Sequence, residues 1–205
     1  MNNNQKVLSE TLKAWLPLAA TIVIFSGLIY VAVQQNYRQA ANDQPTQIAE
    51  DIANAIIQGM AEPGDILPPN KTDIKKNLLP FVLIYDDTGK QLGSSALLND
   101  KDPEYPKGVL DSVKQQGEKK ITWEPEAGVR MATVVTRYTG KFSGFVVVGR
   151  SLREVEAHIN NLTAMTALAT GLALIVSLLL IFFFKKMDGD RGHKLAEVDV
   201  VVTEI

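Results

Sequence analysis

The chain has 205 residues, of which 46% are hydrophobic, and its formal net charge is −2. It contains no cysteine, which excludes disulfides, zinc–thiolate sites, iron–sulfur clusters and thiol catalysis. The charge is not the basic excess that nucleic-acid-binding domains usually carry, so we predict no nucleic-acid partner.

Two uncharged apolar segments bracket the chain, at residues 14–37 and 159–184. Neither contains Asp, Glu, Lys or Arg. Each exceeds the roughly 20 residues that a helix needs to cross the hydrocarbon core of a bilayer. The first segment is also longer than the apolar region of a cleaved signal peptide. We therefore predict two transmembrane helices with these boundaries.

Basic residues at the outer ends of these segments predict the topology. Lys6 and Lys13 precede the first segment, and a basic group follows the second. Lys and Arg near the ends of a span favour the cytoplasmic side. Residues 1–13 and 185–205 are therefore expected in the cytoplasm, and residues 38–158 outside it. The basic residues after the second segment are Lys185, Lys186, Arg191 and Lys194.

The segment between the spans has the size of one domain. Apolar residues at three-to-four spacing predict a long N-terminal helix over 47–59, with Pro45 in its first turn or at a kink. Short apolar runs separated by Gly-containing turns predict strands. The strands are expected at 81–85, 91–95, 119–124, 129–138 and 142–149, with a short helix at 106–116.

This order predicts an α+β fold, with an antiparallel sheet of about five strands, helices packed on it and a transmembrane helix on either side. The run Phe145-Val-Val-Val is apolar on both faces, which is typical of a central strand covered on both sides. Ser151 and Glu154 have the spacing of a capping box with Ser151 as N-cap. The second membrane helix is therefore expected to begin inside the domain, where it is a candidate transmission rod.

Five stretches carry a family resemblance: Pro80-Phe-Val-Leu-Ile-Tyr-Asp-Asp-Thr-Gly-Lys, Gly108-Val-Leu, Ile121-Thr-Trp-Glu-Pro, Gly128-Val-Arg and Gly149-Arg-Ser-Leu-Arg-Glu-Val-Glu. Together the central segment resembles the extracytoplasmic PAS-like, or single Cache, sensor domains of bacterial two-span receptors, over roughly residues 41–159. The resemblance implies an exported sensor domain in a bacterial plasma membrane. Sensor kinases continue with a phosphoacceptor helix and an ATP-binding domain, whereas residues 185–205 are too few to fold alone. Such a sensor would signal through a partner protein.

Arg130 and Arg150 are predicted on strands between apolar neighbours. A cation in that position is costly unless it is paired, and arginine binds carboxylates through two parallel hydrogen bonds. One interpretation is a pocket for a small organic anion, formed with Tyr85, Trp123 and Tyr138. The other, which we favour, is salt bridging at the rim of the domain, to Glu124, Glu126, Glu154 or Glu156.

Other residues fit structural roles better than chemical ones. Asp87-Thr-Gly matches the aspartic-protease triplet, but Lys90 follows it, and a hairpin turn explains the same residues. His158 has no second histidine at a metal-ligand spacing, so no metal site is expected. With no nucleophile–base pair and no cofactor loop in the sequence, we predict no catalytic residues, no cofactor and no enzyme activity.

Thr163, Ala167 and Gly171 recur four residues apart in the second span. Small residues let two membrane helices approach closely. The stripe fits pairing with the first span, or with a second copy in a homodimer.

Two functions remain open. The first is a membrane-anchored sensory or ligand-binding module that signals through a partner. The alternative is a structural or accessory subunit of a membrane complex with no small ligand. A closed pocket that contains Arg130 or Arg150 favours the first function, and an open apolar patch on the domain surface favours the second.

Overall fold

The structure is a computed structural model that describes the backbone of residues 3–203 and the side chains of Gln5 and residues 8–187. It divides into two compact units. Gln34–Ile159 form the sheet unit, and the terminal segments, up to Val33 and from Asn160, form the helix-pair unit. The described residues contain three helices and a five-stranded antiparallel sheet, which confirms the α+β fold class.

The helices and strands are numbered here in chain order. Two of the helices are long and one is short: α1 (Asn3–Ile57), α2 (Lys107–Gln116) and α3 (Arg153–Thr203). The strands are β1 (Thr72–Asp73), β2 (Phe81–Asp86), β3 (Gln91–Ser94), β4 (Ala96–Leu97), β5 (Glu118–Glu126), β6 (Val129–Tyr138) and β7 (Gly144–Ser151).

The five-stranded sheet has β7 at its centre and β3 and β5 at its edges. Its order is β3-β2-β7-β6-β5, and each neighbouring pair is antiparallel. Phe145, Val146, Val147 and Val148 of β7 are fully buried, which confirms the predicted central strand. The five predicted strands agree with the observed ones to within two residues at each end. The parallel pair β1–β4 was not predicted, because two residues are too few to show alternation.

Because side chains alternate along a strand, the sheet has two faces with separate cores. Face A carries Phe81, Leu83 and Tyr85 of β2, and α2 covers it with Leu110 and Val113. Face B carries the intervening residues and is covered by the end of α1 and the first turns of α3. Its buried residues are Val82, Ile84, Val134, Tyr138, Val146 and Val148 with Ala49, Ala53 and Ile56 of α1, and, in an adjoining cluster, Ala41, Ala132, Leu152 and Val155.

The helix predicted over 47–59 is the last part of α1, which continues without a break from the first apolar segment through Pro45 to Ile57. Proline has no N–H and usually breaks a helix interior. Here Thr46 Oγ1 donates to the carbonyl oxygen of Asn42 at 2.7 Å. Ala41 and Ala49 are buried on either side of the proline, so packing within the sheet unit keeps the helical path.

The capping box predicted at Ser151 and Glu154 does not form. Ser151 ends β7, and α3 begins at Arg153. Ser151 Oγ accepts a hydrogen bond from the Arg153 N–H at 3.3 Å, while the Glu154 carboxylate pairs with Arg150 at 3.3 Å. Pairing with β6 keeps Ser151 extended, which moves the start of the helix. The helix still begins within the sheet unit, as predicted.

Asp86 fixes the turn after β2. Its Oδ1 accepts hydrogen bonds from Thr88 Oγ1 at 2.6 Å and from the N–H groups of Thr88 and Lys90, both at 2.9 Å. These bonds, the Thr88 hydroxyl foremost, hold the pKa of the Asp86 carboxyl below its usual value. Gly89 closes the turn with a φ of 82°. The Asp87-Thr-Gly triplet is therefore part of a hairpin turn, which is the interpretation that the sequence favoured.

We expect Asp86→Ala to lower the free energy of unfolding by about 2 kcal/mol, because three donors lose a charged acceptor. Urea unfolding of the full chain in detergent, followed by tryptophan fluorescence, measures the change. Asp111→Ala is the control, since it removes a carboxylate from an exposed ion pair with Lys114 at 3.1 Å and should change stability by less than about 1 kcal/mol. Equal losses in the two variants would contradict the role of Asp86.

Candidate functional site

One end of the sheet leads directly into α3. Here Phe81 at the start of β2 pairs with Gly149, and Met131 near the start of β6 pairs with Ser151. The turn between β5 and β6 closes at the same end. We call this the α3 end of the sheet. The hairpin turn at Gly89 lies at the opposite, or distal, end.

A cleft of about 220 Å³ lies at the α3 end, and we call it the rim cleft. Three cations line it, Lys75 of the loop after β1, Arg130 of β6 and Arg153 of α3. Glu156, one turn further along α3, is the carboxylate among its lining residues. The buried side chains of Ile74 and Met131 supply apolar wall and belong to the core of face A. The rim cleft is therefore a small site with more positive than negative groups.

The charges of the rim cleft are partly paired. Arg130 Nη1 bonds Glu156 Oε1, and Lys75 Nζ lies 2.8 Å from Glu126 Oε1. The hydrogen bonds of Lys75 and Asn99 hold the pKa of the Glu126 carboxyl below its usual value.

Arg153 is bound differently from the other two cations. Its guanidinium donates to the backbone carbonyl oxygens of Lys76 at 3.1 Å and Lys75 at 3.5 Å. Among the described side chains, no carboxylate forms an ion pair with Arg153, since Glu156 pairs with Arg130 and Glu154 pairs with Arg150. One positive charge thus remains uncompensated at the first turn of α3, where the helix N-terminus adds further positive potential.

This arrangement suits anion binding rather than acid–base chemistry. Guanidinium groups match carboxylates and phosphates with two parallel hydrogen bonds. A cleft of about 220 Å³ is smaller than the roughly 300–1,000 Å³ of sites for drug-sized ligands. Among the described side chains, no group of three His, Asp or Glu is placed to hold a metal ion.

The sheet divides the five residues predicted to form one anion pocket. Tyr85 and Trp123 lie in the core of face A, whereas Tyr138, Arg130 and Arg150 lie on strand positions of face B. The residues of one face cannot share a pocket with those of the other, because the sheet and the buried side chains on both of its faces lie between them. Anion binding by any one of them stays a prediction, and Arg130 is the residue of this set that lines the rim cleft.

The favoured alternative for the two arginines, salt bridging at the rim, is what the structure contains. Arg130 pairs with Glu156, and Arg150 Nη2 lies 3.3 Å from Glu154 Oε2. Both glutamates belong to the first turns of α3, so both pairs link the sheet to that helix.

The three predicted aromatic residues have internal roles. The Tyr85 hydroxyl donates to Gln91 Oε1 at 3.3 Å and accepts from the Tyr105 N–H at 3.1 Å. The Tyr138 hydroxyl donates to the carbonyl oxygen of Tyr85 at 3.1 Å. Trp123 packs edge-on against the Tyr105 ring at 5.0 Å between centroids. Burial raises the pKa of Tyr85, Tyr105 and Tyr138 to about 12.

Sequence reasoning missed two cations of the rim cleft. Arg153 stands in the stretch Gly149-Arg-Ser-Leu-Arg-Glu, where the start predicted for α3 put it inside a capping box rather than beside a cleft. Lys75 lies in a loop and carries no local signal, since only the fold brings it to Arg130. The three-residue spacing of Arg153 and Glu156, which puts both on one side of a helix, was the local signal that could have indicated a charged site here.

The helix-pair unit contains most of the two apolar segments, namely residues 14–33 and 160–184. Its helices qualify as candidate membrane spans by length and composition, with almost none of their apolar windows buried. Polar contacts join α1 and α3 within it: Trp15 Nε1 donates to Ser177 Oγ at 3.0 Å, and Tyr30 and Thr163 share a hydrogen bond of 3.0 Å. These features are weakly compatible with a two-pass membrane protein.

The small-residue stripe faces α1 in this unit. Thr163, Ala167 and Gly171 line a groove of about 440 Å³ together with Gly27 and Tyr30 of α1. Of the two pairings that the sequence left open, pairing with the first span is therefore present. The basic residues Arg191 and Lys194 used for the topology, and Lys6 before the first span, lie outside the described side chains.

No protein-family model matches the chain, and no curated protein is significantly similar to it. The geometry of the rim cleft and of the two long helices therefore carries the functional inference.

Proposed function

We propose that this chain is a membrane-anchored sensory module that binds a small organic anion in the rim cleft and signals through a partner protein. The sheet unit is the extracytoplasmic domain, and both termini are cytoplasmic. The observation that carries the proposal is the excess of cations in a cleft whose wall includes the first turn of α3.

The chemistry of the cleft supports an anion as the ligand. Arg153 has its guanidinium on backbone carbonyls, which leaves its charge uncompensated. Arg130 already binds a carboxylate, that of Glu156, and so offers the geometry that a ligand carboxylate or phosphate needs. The cleft volume suits a molecule with few non-hydrogen atoms.

The position of the cleft supports a signalling role. Arg153 and Glu156 both belong to α3, which runs unbroken from Arg153 to Thr203. A ligand that binds Arg130 competes with Glu156 for the same guanidinium. It therefore changes the contacts that hold the start of α3 to the sheet, and a ligand shifts an equilibrium only through such a difference in contacts.

The fold supports the resemblance to PAS-like or single Cache domains. The sheet unit has a five-stranded antiparallel sheet, helices on both faces and a long N-terminal helix. The alternative function, an accessory subunit without a ligand, called for an open apolar patch instead of a charged cleft. Dimerisation through Thr163, Ala167 and Gly171 is a further part of the proposal, since Thr163 and Ala167 stay exposed along the groove beside α1.

Thermal unfolding of the full chain in lipid nanodiscs tests the anion site. We expect one or more members of a panel of small carboxylates, or inorganic phosphate, to raise the melting temperature. A ligand at 100 times its dissociation constant stabilises by about 2.7 kcal/mol. Arg130→Ala and Arg153→Ala should abolish the shift, because each removes a guanidinium from the cleft.

Lys141→Ala is the matched control, since it removes an exposed cation at the distal end of the sheet, where Lys141 stacks on Phe142. It should keep the full ligand-induced shift. If no anion stabilises the folded chain, or if Lys141→Ala loses the shift as well, the sensory proposal is wrong. The accessory-subunit function is then the better-supported one.

A further inference from the structure

A carboxylate of the protein itself already occupies part of the rim cleft. Glu156 lines the cleft, and its Oε1 accepts a hydrogen bond from Nη1 of Arg130. A guanidinium binds the carboxylate of a ligand through the same kinds of atom. The site proposed for an external anion therefore contains an internal group with the same chemistry.

The backbone around this pair is fixed independently of the ion pair. The N–H of Leu152 donates to the carbonyl oxygen of Arg130 at 2.9 Å, and the N–H of Glu156 donates to the carbonyl oxygen of Leu152 at 2.8 Å. Leu152 and Val155 are buried in one cluster with Ala132 of β6. The start of α3 keeps these contacts when the Glu156 carboxylate leaves Arg130, so the ion pair can open by side-chain rotation alone.

Opening the pair leaves no charge buried. The side chains of Arg130 and Glu156 are 46% and 39% exposed, so water reaches both groups. Ion pairs with this exposure contribute little to stability. A displaced Glu156 carboxylate therefore meets water, and an anion that takes its place has only a weak contact to replace.

The cleft is too small to hold two anions that ignore each other. Its volume is about 220 Å³, so an anion bound there stands within several ångströms of the Glu156 carboxylate. Like charges at such a separation repel each other. Arg153, whose described bonds go to backbone carbonyl oxygens, attracts the incoming anion, whereas Glu156 opposes it.

We propose that Glu156 is a built-in competitor in the rim cleft, which an external carboxylate or phosphate must displace from Arg130 in order to bind. The inference rests on the anion site of the proposed function and adds the residue that sets its affinity. A competing group tethered to the same protein acts at an effective concentration on the order of millimolar. The rim cleft therefore responds to an abundant anion, and traces of the same anion leave Glu156 in place.

Replacement of the competing charge tests this inference. Glu156→Gln removes the charge and keeps the size of the side chain, and Glu156→Ala removes the whole carboxylate. Glu154→Gln is the matched control, because Glu154 belongs to the same first turns of α3 but pairs with Arg150 and is not among the residues that line the cleft. The melting temperature of each full chain in lipid nanodiscs is followed against increasing acetate or inorganic phosphate, at constant ionic strength.

We expect both Glu156 variants to lower the dissociation constant for acetate or phosphate by roughly fivefold or more, because the anion no longer competes for Arg130. Glu154→Gln should leave this constant within about twofold of the parent value, since solvent and salt screen a charge outside the cleft. Without added anion, each variant should melt within a few degrees of the parent chain, because an exposed ion pair contributes little to stability.

Equal affinities in the parent chain and in both Glu156 variants would overturn the competition and leave the anion site in place. An equal gain in Glu154→Gln would also overturn it, since a general change of charge would then explain the result. If acetate and phosphate stabilise none of these chains, the inference fails. Failure of the whole carboxylate panel to stabilise the parent chain would remove the anion site itself.

Discussion

We expect Gly144→Ala to lower the free energy of unfolding of the sheet unit by about 3 kcal/mol or more, which is the upper range for overpacking. A β-carbon at Gly144 would stand 2.1 Å from the carbonyl oxygen of Tyr85 and 2.6 Å from the Tyr138 hydroxyl. These two atoms form the hydrogen bond that joins Tyr138 to β2. The methyl group therefore cannot enter without separating β7 from β2 or displacing a buried ring.

Gly140→Ala is the control for this substitution. Gly140 lies four residues earlier, in the connection that leads into β7, and the nearest atom to its β-carbon would be the Ile57 carbonyl oxygen at 3.9 Å, an ordinary contact. The free energy of unfolding of the Gly140→Ala variant should stay within about 0.5 kcal/mol of that of the parent chain. Urea unfolding in detergent, read by tryptophan fluorescence, compares the variants. Similar midpoints for both would show that the β2–β7 contact is looser than the distances imply.

We expect the sheet unit to unfold between about pH 10 and pH 12. Burial raises the pKa of Tyr85, Tyr105 and Tyr138 to about 12 in the folded state, whereas an unfolded tyrosine titrates near 10. Above pH 10 the folded state holds more protons than the unfolded state. The stability that the neutral phenols contribute is complete below pH 10 and falls as pH rises through the folded pKa.

The expected loss in the free energy of unfolding is large compared with the total stability of a domain. A shift of about two units corresponds to roughly 2–3 kcal/mol for each tyrosine, or on the order of 6–9 kcal/mol for three. Whole domains have only about 5–15 kcal/mol. Circular dichroism and tyrosinate absorbance of the full chain in detergent should therefore change together in this pH range.

Two variants separate titration from the loss of a hydrogen bond. Tyr105→Phe and Thr133→Val both remove the 2.8 Å hydrogen bond between Tyr105 and Thr133. Only Tyr105→Phe also removes a titrating group, so only this variant should lessen the alkaline fall in stability, by about one third of its slope. Identical slopes in the two variants would show that Tyr105 does not control the alkaline transition.

The sequence predicts the sheet of this protein well because its strands are marked locally. Phe145-Val-Val-Val has no polar residue on either face, and the Asp86 and Gly89 turn has the residues that its backbone angles require. Such signals act over a few neighbouring residues. They do not depend on where the rest of the chain lies.

The errors arise where tertiary packing decides. Pro45 was expected in the first turn of a helix or at a kink, and buried alanines on either side keep α1 continuous through it. The anion pocket was assembled from Arg130, Arg150 and three aromatic residues without knowledge of the faces they occupy. Alternation along each strand was known, but the pairing that puts Tyr85 and Tyr138 on opposite faces was not.

The edge strand β5 has a consequence for how copies of this protein can meet. Its outer edge is unpaired in the described sheet, and its sequence Glu118-Lys-Lys-Ile-Thr-Trp-Glu-Pro-Glu is rich in charge and includes Pro125, which lacks an N–H. Lysines and a proline on an edge oppose the addition of another strand. Neighbouring copies are therefore kept from joining their sheets into a continuous ribbon. With the proposed membrane anchoring, crowding in the plane of a bilayer would bring these domains side by side without joining their sheets.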